Sequence, residues 1–291
     1  MASPSRTAYT HRDQQILQAL LRTPLTAEQI RTFSECFATP FTKSRPVRRR
    51  LQRLAAAGWV RCERYASSRS GATNYYQLTP TGYRLLNGPK ATLPGKHFFA
   101  PVSLALQQHT QALADFIVHT TVGAHRAGLR MTGFYRENEL KLSLGDERMS
   151  PDNTFQLLSS AGQALNYVVE LDNGSEPLCS TKERDSLARK VAFYDRYQDI
   201  TRHRFRILLV FAKQGERLNH FLDIAANLVR NPQRRLFYAV FLPDYLRDPD
   251  PLRAPLFRDH DRRLVPLVPT DAMTRPASQQ AKSLDPAAIP W

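Results

Sequence analysis

Residues 149–176 read MSPDNTFQLLSSAGQALNYVVELDNGSE, and the fold of the second half of the chain turns on this stretch. It holds the pair Pro151-Asp152, then two strand-like apolar runs, NTFQLL and LNYVVELD, the second ending in Glu170-Leu171-Asp172. Asp152 and Glu170 are 18 residues apart, a spacing that suits two adjacent antiparallel strands joined by LSSAGQA. In such a hairpin both carboxylates sit at one end of the sheet. Two carboxylates on neighbouring strands offer hard oxygen ligands to Mg²⁺ and leave positions for water and a phosphate oxygen. They can equally be the polar end of a buried strand. Asp172-Asn173-Gly174 is a good turn on its own account, Glu170 can end the strand with no metal role, and Asp152 after proline can be a turn residue.

Outward from this stretch the pattern is that of an α/β domain over residues 102–269. A long helical pattern ends near Gly128, and strand-like runs follow at MTGFYR and ELKLSL before the hairpin. After it come a helix, KERDSLARKVAFYDRYQDI, the apolar run FRILLVFA, a second helix, ERLNHFLDIAANLVRN, and LFYAVFLP. Strands apolar throughout belong to a sheet covered by helices on both faces. Residues 89–101, rich in Gly and Pro, read as a linker. Residues 270–291 are short of apolar residues and read as a disordered tail.

The first 88 residues have a different character. Residues 1–90 carry 15 Lys and Arg against four Asp and Glu, whereas the other 201 carry 26 against 22. A dense positive field on one small domain points to a polyanion, with double-stranded DNA first. Thr10 with Asp13, and Thr26 with Gln29, are spaced as capping boxes for two helices. KSRPVRRRLQRLAAAGWV predicts a third, with Ser44 as its cap, Pro46 in the first turn and Gly58 at its end. Val47, Leu51 and Leu54 share one face, which leaves Arg45, Arg48, Arg49 and Arg53 on others. Two β-type runs then flank SSRSGA, a hairpin tip carrying Arg69. These five arginines are the expected DNA contacts, reaching phosphates and guanine edges.

No apolar run is long enough to span a bilayer, and MASPSRTAYTHRDQQ lacks a signal peptide's apolar core. Cys36, Cys62 and Cys179 lie far apart, which fits a reducing cytosol and argues against structural zinc. The expectation is a cytoplasmic protein with no membrane partner. The histidines show no ligand spacing.

The order helix, helix, basic helix, hairpin resembles the winged helix-turn-helix domain, with LQRLAAAGWV leaving the recognition helix and YYQLTPTGYRLL closing the wing. The second domain resembles the PD-(D/E)XK nuclease superfamily, a mixed sheet flanked by helices, with Asp152 and Glu170 in the places of its two acids. The set Pro151-Asp152, Glu170-Leu171-Asp172 and Lys190 with Tyr194 is similar to a narrower group, the plasmid replication-relaxation family. That resemblance implies DNA metabolism of a plasmid or mobile element. If the domain is active, it implies Mg²⁺ held by Asp152 and Glu170 with help from Asp172, and a lysine stabilising the phosphate. Asp172 stands where the superfamily has its lysine, so Lys190 on the following helix is the candidate for a migrated one, with Lys182 the weaker choice. Lys190 can also be a solvated charge paired with Asp185 or Glu183. Tyr194 reads as a packing residue, and Glu137 or Glu139 can supply an extra acidic ligand or be ordinary surface charges. The rivals are a transcription regulator whose nuclease-like domain is inactive and serves homodimerisation or partner binding, and an adaptor in a replication or transfer complex.

Overall fold

The computed structural model describes residues 9–66, 73–174, 186–201, 204–213 and 215–269. Its contacts divide into two units, Met1–Val122 and Gly123–Trp291. The first unit begins with α1 (His11–Arg22), β1 (Leu25–Thr26), α2 (Ala27–Phe33) and α3 (Ser44–Ala56). It continues through β2 (Val60–Arg64), β3 (Asn74–Leu78), α4 (Pro80–Asn87) and the start of α5 (Gln107–Arg126). The three strands pair in the order β1-β3-β2.

Both predicted capping boxes form, Thr10 with Asp13 and Thr26 with Gln29. Each satisfies backbone N–H groups that the first turn leaves open. Asp13 has a second task. Its buried carboxylate is gripped by the Arg50 guanidinium, at 2.7 Å for Nη2, so the same side chain caps α1 and docks α3. Burial pushes the Asp13 carboxyl up, but Arg50 and Thr10 together outweigh it and hold it below the ordinary value. Val47, Leu51 and Leu54 seat α3 in the core with Ile16, Leu20 and Ile30.

Ser44 does not cap α3. Lys43 occupies the cap position without a side-chain bond, and the Ser44 hydroxyl donates to Glu28 on α2 instead. At the other end Gly58 takes φ +73°. Its N–H reaches Ala55 O and that of Trp59 reaches Leu54 O, a Schellman closure that aims the chain into β2.

The boundary of this unit lies beyond the predicted linker. Lys96–Phe99 forms a 3₁₀ turn whose Phe98 is buried against Tyr83, and Gln77 Nε2 donates to Phe99 O at 2.9 Å. The early part of α5 is tied in as well, by Gln29 Nε2 to Asp115 at 2.7 Å and Arg22 to Thr121 at 2.8 Å. Two phenylalanines in HFF outweigh the turn-forming composition around them.

The second unit contains β4 (Arg130–Arg136), β5 (Leu142–Leu144), β6 (Glu147–Met149), β7 (Asn153–Leu158) and β8 (Ala164–Asp172). It continues with α6 (Leu187–Ile200), β9 (Arg206–Phe211), α7 (Gly215–Leu228) and β10 (Phe237–Phe241). Last come α8 (Leu242–Arg247), β11 (Phe257–Asp259) and β12 (Leu264–Val265). Seven strands form one mixed sheet in the order β12-β11-β10-β9-β8-β7-β4, and β5 pairs with β6 separately. β8, β9 and β10 are parallel, whereas β4, β7 and β8 are antiparallel neighbours. The ELKLSL run contributes only β5, and its Leu142 joins the core around α6.

The predicted hairpin is β7–β8, with Asn153 opposite Val169. Alternation then sorts β8: Val168, Glu170 and Asp172 lie in register with Ile207, Leu209 and Phe211 of β9. Those apolar residues pack with α6 and α7 through Leu187, Val191, Leu218 and Phe221. The two acids therefore face a helical layer on the buried side of the sheet.

The Asp13 contact sets one expectation. Asp13→Ala removes a cap and strands Arg50, so it should cost about 2–4 kcal/mol in urea unfolding. Adding Arg50→Ala should cost less than the sum of the two single changes. Full additivity in that cycle would show that the pair does not couple α1 to α3.

Candidate functional site

Two groups of residues bear on function, one in each unit. In the first, all four predicted contacts on α3, Arg45, Arg48, Arg49 and Arg53, are exposed. Their positions follow from the apolar stripe: with Val47, Leu51 and Leu54 inward, the remaining turns must face outward. Gln52 is exposed on the same side, one turn from Arg48 and Arg49. Arg12 on α1 adds to the field. Its guanidinium lies 4.7 Å from the centre of the Phe41 ring, in a depression shared with Arg49, Arg50 and Arg53. Sequence reading missed Arg12 and Gln52, although the helical period on α3 was enough to find the second. Arg69 lies outside the described residues.

In the second unit, Asp152, Glu170 and Lys190 come together. Asn153 pairs with Val169, so Asp152 stands across from Glu170 at the end where β7 begins. Its Oδ2 accepts from Leu171 N at 2.6 Å and so extends the hydrogen bonding of β8 past the last β7 residue. Glu170 is 1% exposed. Its Oε2 accepts from Lys190 Nζ at 2.7 Å, and its Oε1 accepts from the Tyr194 hydroxyl. Lys190 and Tyr194 are four apart on α6 and so share a face one turn apart. Lys190 lies in the first turn of a helix capped by Ser186. A cation is disfavoured at that end of a helix dipole, so the Glu170 partner offsets a local cost.

Asp172 is nearly as buried and is also occupied. Its Oδ1 accepts from Gly174 N at 2.7 Å, closing the predicted turn, and its Oδ2 accepts from Arg217 Nε of α7 at 2.7 Å. The position that the resemblance gives to a lysine is thus an aspartate whose charge is met by an arginine from the next helix. Glu139 caps a turn by accepting from Arg136 N at 2.8 Å. Lys182, Glu183 and Asp185 lie outside the described residues.

These contacts decide what the acids can hold. Both oxygens of Glu170 and both of Asp172 already accept hydrogen bonds, one on each carboxylate from a cationic side chain. A divalent ion would have to displace Lys190 and Arg217 and leave them partly buried without their counter-ions. The donor set does not fit Mg²⁺. Among the described residues, no group of three or more His, Cys, Asp or Glu side chains gathers at metal-binding distance. Nor does any helix there have the length and apolarity to cross a membrane.

Burial pushes the Glu170 carboxyl up to about 7, with a further push from Asp152, against the downward pull of Lys190 and Tyr194. A folded-state value raised from 4.5 means that the native protein keeps a proton that the unfolded chain has released. The stability from this group is therefore full below about 4.5 and is lost as pH rises towards 7. Glu170→Gln should flatten that part of the pH–stability curve. Parallel urea-unfolding curves for wild type and variant from pH 4.5 to 7.5 would rule the assignment out.

A family model described as replication-relaxation matches residues 21–206. No curated protein matches the chain. Among solved structures, Bacillus subtilis PadR in complex with operator DNA is similar at 15% identity, over 41% of this chain and 71% of that one, with a TM-score of 0.24. That score is too low to establish a shared fold.

Proposed function

Because the chain belongs to the replication-relaxation family, we propose that it acts on the DNA of a plasmid or integrated mobile element as a duplex-binding protein, not as an enzyme. The observation that carries this reading is α3, a helix seated by three buried aliphatic residues that turns Arg45, Arg48, Arg49 and Arg53 to solvent. A single helix fits the major groove, where guanidinium groups can take guanine edges or flanking phosphates. The unit works as a winged helix-turn-helix, with β2 and β3 as the arms of the wing.

The second unit is read as a PD-(D/E)XK-like domain without chemistry. An antiparallel hairpin leading into parallel strands, with an acid opposite Glu170, supports the fold reading. Convergence of Asp152, Glu170 and Lys190 favours a nuclease, but the ion pairs that use up Glu170 and Asp172 weigh against it. Such a unit serves best to join a second copy at a two-fold DNA site, or to hold another component of the replication or transfer machinery.

The test is duplex binding as a function of salt, beside a plasmid-nicking assay. Four arginine–phosphate contacts predict a log–log salt slope of about −3 to −4. Arg48→Ala with Arg49→Ala should weaken binding and reduce the slope by about 2. No nicking should occur with Mg²⁺ or Mn²⁺. Salt-insensitive binding contradicts the first half of the proposal, and nicking abolished by Asp152→Ala or Glu170→Ala contradicts the second.

A further inference from the structure

The acid cluster stands at the carboxyl end of β8, and the opposite end of the same sheet carries a different chemistry. There β8, β9 and β10 begin side by side, about 25 Å from Asp172 along β8. The chain around them leaves a half-open cleft of about 870 Å³, within the range that takes a small ligand. Among the described residues, four arginines line it. Arg206 opens β9 with Arg204 two residues before it, and Arg234 and Arg235 precede β10 with Leu236 between. Asn166 and Tyr238 complete the wall used here.

The guanidinium groups of Arg206, Arg234 and Arg235 are held in place from behind. Arg206 donates to Leu267 O at 3.0 Å and lies 5.2 Å from the centre of the Tyr238 ring. Arg234 donates to Asp195 O at 3.0 Å and also bonds Asp199. Arg235 stands 3.7 Å from the buried Asp259. Arg204 is exposed, and its carbonyl is fixed by Asn166 Nδ2 at 2.9 Å. Asp199 is the acid in the lining, and Arg230 and Arg234 both bond it. A purely structural network would match charges in the wall. Here, among the described residues, four arginines and one carboxylate line a concave surface, and the buried Asp195 and Asp259 stand behind Arg234 and Arg235. Arginine's planar fork suits phosphate oxygens in two-point contact.

We propose that this cleft binds the phosphate groups of a nucleotide, either free or at a position along a single nucleic-acid strand. This site is separate from α3 and from the acid cluster, and does not depend on the duplex-binding reading.

The experiment is calorimetric titration of the full chain, without divalent metal, using two probes: a nucleoside diphosphate and a single-stranded hexanucleotide. At least one should bind, and Arg204→Glu should weaken it by about tenfold or more. Arg235→Ala should weaken it as a second variant, whereas Arg48→Ala with Arg49→Ala should leave it unchanged. Tighter binding of the diphosphate identifies a free nucleotide as the ligand, and tighter binding of the hexanucleotide identifies a strand. A wild-type chain that binds neither probe overturns the proposal. So does binding that survives both Arg204→Glu and Arg235→Ala, or binding that is lost with the α3 variant.

Discussion

A carboxylate buried on the helix-covered face of a sheet must be matched or neutralised, and Glu170 sets that demand for the second unit. Leaving the group charged and unpartnered there would cost several kcal/mol. Much of the surrounding arrangement meets the demand. α6 presents Lys190 and Tyr194 one turn apart, so that each takes one oxygen. One step along the same face Asp172 repeats the problem, and α7 supplies Arg217. Two carboxylates and two cations, with the Tyr194 hydroxyl, thus tie the hairpin to both helices that cover it. The raised pKa of Glu170 is the residue of that conflict, because burial disfavours its charge more than Lys190 restores it.

The same pairs separate this site from a metal-dependent one. A nuclease site of this layout needs carboxylate oxygens turned to an open face and a cation free to meet phosphate. Here the cation that resemblance assigns to phosphate is spent on the carboxylate that resemblance assigns to metal. Arginines gather elsewhere, on the outer face of α3 and at the far end of the second sheet. On α3 the arginines are exposed, and at the far cleft Arg204 and Arg235 are exposed while Arg206 and Arg234 are half-buried.

Local rules made much of this legible in the sequence. The two capping boxes, the apolar stripe of α3, the Gly58 stop and the β7–β8 hairpin all depend on residues within about one element of each other, and all form. The approach of Asp152 to Glu170 followed from strand spacing, and Lys190 was placed beside them by the family resemblance. What stayed hidden depends on partners distant in the chain. Arg217 is 45 residues from Asp172, and nothing in ERLNHFLD marks its arginine as a counter-ion. Tyr194 reads as packing because a buried phenol shows its hydrogen bond only once β8 is opposite it. The linker over 89–101 failed to separate the units for the same reason: Phe98 and Phe99 find Tyr83 and β3 only in three dimensions.

Lys190 and Arg217 hold the acids of the second unit, and the proposed reading leaves no place for a metal among them. Thermal melting of the wild-type chain across a titration of Mn²⁺ tests it most directly, because an ion bound only by the native state must raise the melting temperature with its concentration. The melting temperature should stay flat into the millimolar range. A rise of several degrees that disappears in Glu170→Ala would contradict it.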